Sequence, residues 1–495
     1  MSKKIFYPVI LFFLTLLIIV VFSINYNVVF VDELIYCRWI YKMVTENLSL
    51  FLPIQWGKHP TFFWFNRFLV SILKDIPFIK LSILNVLKGT ALINSLLTVF
   101  GLSLFFKEKK LKIFIPLIFL LGPFFLIYFS IGTVENIIIP LVIIYWYSLG
   151  KSIENINIKS NWLRYYFLAN VFGLLVALTK SNSSSVILSS LIYFLIFIKI
   201  KKVRLDLKWV GLIILHILFL ILNLLIAFYF SKVESSNVMS FTASFFDLFT
   251  SIYKYFSYIP YFFSFTFIYL IIISFFKISF KSVINYINNP INRILLINWL
   301  IGLAVVSLLK VYYPRYFLIA ILPLFIFLAG FLEISWKYLI KEKGLITGLV
   351  IFLLVDILFV FFPSGIYKWR IPKIDIIQHF ERSSVHIPYD FKKNVFEKNP
   401  KATFLINDDR YGANNLFFAL IPVSINYPNF KIIVYEDINK LEPNNLCKQY
   451  PKQLIYIWGD SSLTNNKIVL GKFLLNSYFS FNKDEYISIY KILCK

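Results

Sequence analysis

Apolar stretches of eighteen residues or more recur along this chain, and no other feature restricts its fold so strongly. The chain has 495 residues, of which 59% are hydrophobic, 20% aromatic and only 15% charged. That much apolar surface does not fit around one water-soluble core, so the pattern is that of a multi-pass membrane protein. Eleven segments stand out, at about 5–24, 84–106, 111–131, 136–150, 162–180, 185–200, 209–230, 259–277, 294–310, 316–334 and 345–363. The stretch 62–73 adds a candidate re-entrant or surface helix. The expected fold class is a polytopic α-helical membrane protein of about eleven spans, within a range of ten to thirteen. The start "MSKKIFYPVILFFLTLLIIVVFSI" has no small-residue cleavage site after it and reads as a retained first span.

Charge orients the spans. With the N-terminus in the cytoplasm, the inner loops carry "SKK", "KEKKLK", "KSIENINIKSNWLR", "KKVRLDLK", "KISFKSVINYINNPINR" and "KYLIKEK". These hold nineteen Lys and Arg, against about five on the short outer connections, as the positive-inside rule requires. The net charge of +25 is thereby explained by topology, and no nucleic-acid-binding motif accompanies it. An odd number of spans puts the residues after Pro363 outside. Two units follow: 1–363 in the membrane, with a first outer loop at 25–83, and a soluble tail at 364–495. The tail alternates strand-like runs ("ATFLIN", "FKIIVYE", "QLIYIWG", "YISIYKIL") with turn signals, and a helix is expected after "DDRYGANN". That describes a small extracytoplasmic α/β domain, in which Cys447 and Cys494 are placed to form a bridge.

This orientation gathers ionisable residues at the outer boundary. Asp32 and Glu33 follow the first span in "VVFVDELIYCRW". Beyond them, Tyr36, Trp39, Ile40, Met43 and Val44 mark one face of an amphipathic helix in the interface plane. Asp32 is positioned as its N-cap and Glu33 complements its dipole, which is a purely structural account of both. Lys58 and His59 precede Pro60 and an aromatic run in "WGKHPTFFWF". Lys58 stands where a lipid phosphate lies, and His59 suits packing, proton transfer or ligand contact. Glu135, Lys180, Lys232, Glu234, Lys310 and Arg315 complete the outer set. Carboxylates and bases at one water–lipid boundary suit a site that joins a lipid-borne and a water-borne reactant. His216, Asn223 and Asp356 lie within spans and are expected to make interhelical hydrogen bonds.

The order of these motifs resembles the GT-C glycosyltransferases, in particular protein O-mannosyltransferases and the lipid A aminoarabinose transferase family. The match begins with "VDELIY" and "GKHPTFFWF", where His59 replaces the first Pro of the family's pattern. It continues through "GTVENIIIPL", with Glu135 where Asp is commoner, then "LLVALTKSNSSSVIL" and "YYPRYFLIAILPLFIF", and ends in "FLINDDRYGANNLFFAL". The resemblance implies a polyprenyl-phosphate sugar donor and transfer to a hydroxyl of a lipid, glycan or protein acceptor outside the cytosol. Under it Asp32 and Glu33 are catalytic, with Asp32 as base, and Lys58, Arg315 and Lys180 bind the donor phosphate. His59, Glu135 and Tyr316 position the substrates. No cofactor or metal is implied, the alternative being a metal bridged by Asp32 and Glu135. Two other classes compete: a surface-polysaccharide polymerase or ligase, and a lipid-linked-sugar transporter. The large first loop and the soluble tail argue against the former, and the lack of a half-to-half repeat against the latter.

Overall fold

The computed structural model describes residues 3–25, 29–45, 53, 59–74, 76, 82–155, 162–180, 183–201, 207–233, 245–307, 314–339 and 343–362, and in the tail 384–385, 403–407, 431–435, 448, 454–460, 472–475 and 487–493. Lys58, Glu234, Lys310, the "DDRYGANN" segment, Cys447 and the 364 boundary lie outside the described residues. The side chains of Asp32, Lys232, Arg315, Tyr316 and Cys494 lie outside them too.

Every apolar segment read from the sequence is helical. The first is α1 (Lys3–Asn25), followed by α2 (Val31–Thr45) and α3 (Pro60–Lys74) in the first loop. Next come α4 (Ile83–Ser103), α5 (Leu111–Leu120), α6 (Pro123–Ser130) and α7 (Val134–Glu154). They are followed by α8 (Trp162–Ala177), α9 (Ser184–Lys201), α10 (Leu207–Val233) and α11 (Phe245–Phe262). The last are α12 (Phe265–Lys277), α13 (Phe280–Ile287), α14 (Pro290–Ser307), α15 (Pro314–Leu339) and α16 (Lys343–Phe361). Among the described residues seven helices are long and apolar enough to cross a membrane, and nine if each of two bent pairs is one span. α8 and α9 are apolar but shorter. The centre and rim of the bundle separate clearly. In α7 and α15, 78% of the span residues are buried, against 17% in α16 and 22% in α1. Phe13, Leu17, Leu225 and Phe228 accordingly point outward, as lipid-facing side chains do.

Two segments expected to be continuous spans are broken instead. The 111–131 segment bends by 78° between α5 and α6. Pro123 disfavours a helical Gly122 before it, and Gly122 is extended (φ −64°, ψ 126°) with Pro123 opening the next helix. A Cβ at Gly122 would overlap the Phe262 carbonyl oxygen, so this corner is also where α11 makes its close approach. The 259–277 segment breaks at 263–264, after α11. There α12 starts anew, with Ser264 accepting from Phe267 N–H at 3.1 Å. Asp356, on α16 and 1% exposed, accepts from the N–H groups of Phe265 (2.9 Å) and Thr266 (2.8 Å). The interhelical bonding expected of Asp356 thus takes a particular form, a carboxylate closing the start of another helix. α12 and α13 then meet at 116°.

The tail contributes a mixed sheet. β3 (Thr403–Asn407) lies between β4 (Lys431–Tyr435) and β5 (Leu454–Asp460), parallel to both. β7 (Ile487–Leu493) runs antiparallel to β5 and to β6 (Lys472–Leu475), giving the order β4-β3-β5-β7-β6. β6 was not expected from the sequence. Near the membrane unit, β1 (Val29–Phe30) pairs antiparallel with β2 (Ser384–Val385). The extended chain lasts until Phe30 and α2 opens at Val31, so Asp32 stands inside the first helical turn and not at the N-cap expected for it.

Replacing Asp356 by Ala removes the acceptor of the Phe265 and Thr266 amides at the start of α12. The expected loss is about 2–3 kcal/mol, read as a lower thermal unfolding midpoint in detergent, with Asp356→Asn losing less.

Candidate active site at one end of the bundle

Three turns converge where α2 begins. The first joins α6 to α7 through Ile131, Gly132 and Thr133 and lies tightly over α4, where a Cβ at Gly132 would overlap the Leu87 side chain. Its Gly132 N–H donates to the Glu33 carboxylate, and Glu33 is fully buried. Glu33 belongs to the first turns of α2, so this one bond fixes that helix to the bundle. The apolar face of α2 completes the attachment. Cys37, Ile40 and Met43 are buried, while Tyr36 and Trp39 lie against Phe62 and Phe63 of α3 with ring centroids 5.1 to 5.6 Å apart. The Cys37 thiol is pushed up by burial first and by the Glu33 charge second, with Lys88 of α4 acting in the opposite sense.

The second turn carries Lys180, between α8 and α9. Its ammonium meets the carboxylate of Glu135 at 2.5 Å, and Glu135 is only 3% exposed. Glu135 is in the first turn of α7, where unpaired backbone N–H groups favour a carboxylate. Asn223 of α10 holds this turn by donating to the carbonyls of Ala177 (2.6 Å) and Lys180 (2.9 Å) and to Ser183 Oγ (3.2 Å). The same amide nitrogen lies 3.5 Å from His59 Nε2.

The third element is the start of α3. His59 is 8% exposed, and Thr61 N–H donates to the Leu178 carbonyl at 3.1 Å. Just beneath, Thr90 donates to Asn66 at 2.8 Å and Asn94 to Asn136 at 2.8 Å, which ties α4 to α3 and α7 by side-chain bonds.

Four residues singled out from the sequence thus meet: Glu33, His59, Glu135 and Lys180. α15 opens at the same end, because α14 begins beside the far end of α7, where Asn289 donates to Glu154 at 3.2 Å. Pro314, Arg315 and Tyr316 then stand at the cluster end by the antiparallel path of α14 and α15. Sequence reading passed over Lys88. Lys88 falls inside an apolar segment only four residues past its expected start, so span hydropathy hid it. Asn223 was recognised as polar within a span, but nothing in the sequence tied it to Lys180. Among the described residues no three His, Cys, Asp or Glu side chains gather in one place.

No family model matches this sequence, and no curated protein matches it either. The architecture does have a counterpart. The crystal structure of ArnT from Cupriavidus metallidurans, bound to undecaprenyl phosphate, superposes with a TM-score of 0.51 at 12% identity, covering 97% of both chains. The chain shares the fold of that protein. The match takes in the tail as well as the bundle, and it agrees with the motif order in the sequence.

The Glu135–Lys180 pair is open to a direct test. Removing one partner takes away the salt bridge of a carboxylate that is only 3% exposed, so Glu135→Gln or Lys180→Met alone is expected to cost about 1.5–3 kcal/mol. The double variant should recover most of that stability, as measured by thermal unfolding. Full additivity of the two losses would show that the ion pair is not coupled.

Proposed function

We propose that the chain is an integral-membrane glycosyltransferase. It moves a sugar from a polyprenyl-phosphate-linked donor to an acceptor hydroxyl at the end of the bundle where Glu33, His59, Glu135 and Lys180 meet. The observation that carries this reading is the buried Glu135–Lys180 pair at that end, in a fold shared with a protein that holds undecaprenyl phosphate. An ammonium held by a carboxylate at the membrane boundary is a cation ready to exchange one anion for another.

In the reaction the acceptor oxygen attacks the anomeric carbon, and the bond from that carbon to the phosphate oxygen breaks. The polyprenyl phosphate leaves with the bonding electrons, and a base takes the acceptor proton. Asp32 is the base in this reading. It stands in the first turn of α2, beside the residue that fixes this helix to the bundle. Glu33 then positions Asp32 through its bond to Gly132. Lys180, Lys58 and Arg315 neutralise the charge that grows on the leaving phosphate, while His59, Glu135 and Tyr316 orient the sugar and acceptor. A metal bridged by Asp32 and Glu135 would have to displace Lys180, so the reading assigns the phosphate charge to side-chain cations.

The loop charges put the N-terminus inside and the cluster end outside. The pairing of β1 with β2 supports a tail on the same side as the first loop. A cysteine introduced at Asn444 is therefore expected to react with a membrane-impermeant reagent in intact cells. Labelling only after lysis would reverse the orientation.

The activity itself is tested by release of polyprenyl phosphate from a labelled lipid-linked sugar. Asp32→Asn removes the base and, with it, a charge that favours the helix start by only about 0.3–1 kcal/mol. Turnover is expected to fall roughly a hundredfold or more while the thermal midpoint moves little. Near-normal turnover in this variant would exclude Asp32 as base. Lys58→Ala and Arg315→Ala are each expected to weaken binding of polyprenyl phosphate as well as turnover.

A further inference from the structure

A polar cavity lies at the other end of the bundle from the cluster. It encloses about 660 Å³ between the α4–α5 connection, the end of α7, the α13–α14 turn and the end of α15. Lys107, Lys112 and Lys151 line it together with Glu154 and Glu333. Part of its lining is apolar, formed by Phe105, Ile291, Ile326 and Ile334.

Both carboxylates are already engaged by the protein. Glu333 accepts from the backbone N–H groups of Lys107 (2.5 Å) and Glu108 (3.2 Å). Glu154 takes the Lys151 ammonium at 2.5 Å and the Asn289 amide at 3.2 Å. The ammonium groups of Lys107 and Lys112 meet no carboxylate within ion-pair distance among the described residues. The cavity therefore combines three lysines, outnumbering its two carboxylates, with apolar side chains in the same lining. It sits where the spans end, at the face whose loops hold the excess of Lys and Arg.

We propose that this cavity binds the headgroup of an anionic glycerophospholipid of the inner leaflet. The lipid phosphate meets Lys107 and Lys112, and the glycerol and first methylenes lie against the apolar part of the lining. A soluble phosphate ester would leave that part unfilled, and a zwitterionic lipid would bring its own cation to the two lysines. The proposal needs only the membrane placement of the bundle, so it stands or falls separately from the transferase reading.

The test uses the full-length protein in a neutral detergent and short-chain lipids as probes. Dioctanoyl phosphatidylglycerol, titrated by intrinsic tryptophan fluorescence or native mass spectrometry, is expected to bind at least tenfold more tightly than dioctanoyl phosphatidylcholine. A Lys near an anionic lipid is worth about fivefold in affinity, so Lys107→Gln with Lys112→Gln should weaken phosphatidylglycerol binding roughly 25-fold. The control pair Lys109→Gln with Lys110→Gln, in the same loop but off the cavity, should leave it within about twofold. Release of polyprenyl phosphate should be unchanged in both double variants at saturating donor. Equal binding of the two lipids would overturn the proposal, as would equal weakening by the control pair, which would mean diffuse loop charge. Competition by glycerol phosphate at the affinity of the lipid would overturn it in favour of a soluble ligand.

Discussion

Backbone amides that leave a helix inside a membrane protein must find a partner there, because the hydrocarbon offers none. Much of this architecture follows from how three carboxylates meet that demand. Glu33 accepts from Gly132 and lets the α6–α7 turn stay buried. Asp356 accepts from Phe265 and Thr266 and lets α12 start beside α16 after the break that ends α11. Glu333 accepts from Lys107 and Glu108 and closes the connection that follows α4. In each case a residue distant in sequence supplies the charge, whereas the corner at Gly122 rests on Pro123 and the close approach of Phe262. Glu135 differs from these three in its ion pair with the Lys180 side chain. A carboxylate bonded to backbone holds shape, whereas one bonded to a lysine can yield that lysine to another anion.

The apolar segments were legible because hydropathy over eighteen residues is a strong signal, and each of the eleven proved helical. The breaks were not, since "LLGPFFL" and "YFFSFTF" are as apolar on one side of the corner as on the other. The corner at Gly122 depends on the Phe262 carbonyl, which is 140 positions away in the chain. Four of the five strands of the tail sheet were legible from β-branched and aromatic runs, while Lys472–Leu475 is too short to separate from its surroundings. At the site, Glu33, His59, Glu135 and Lys180 could be chosen because ionisable groups at span ends are rare in such a chain. Their convergence could not be read, because it rests on Asn223 and on the turn at Gly132. Asp32 was placed one turn position too early, because the pairing of β1 with residues 384–385 has no signature in either segment.

The segment that carries Asp32 is therefore held from three directions. β2 of the tail pairs with the two residues before α2, the α6–α7 turn binds Glu33, and the rings of Phe62 and Phe63 cover Tyr36 and Trp39. Phe62 and Phe63 belong to α3, whose own start is fixed by Thr61 to the end of α8, and α8 leads directly to Lys180. A displacement of any one of these supports moves Asp32 relative to Lys180. Transfer chemistry is sensitive to misplacement on the scale of 1 Å, which can cost on the order of a hundredfold in rate. The first loop is thus best understood as part of the rigid frame. Its amphipathic helix was expected to lie in the interface by hydrophobicity alone, yet the buried bond from Gly132 and the aromatic contacts fix its height above the bundle. A helix held only by lipid would slide and rotate with the membrane surface. Held by protein on three sides, α2 keeps its place against the bundle, which is what the proposed transfer between a membrane-bound donor and a diffusing acceptor would require of the helix that carries its base.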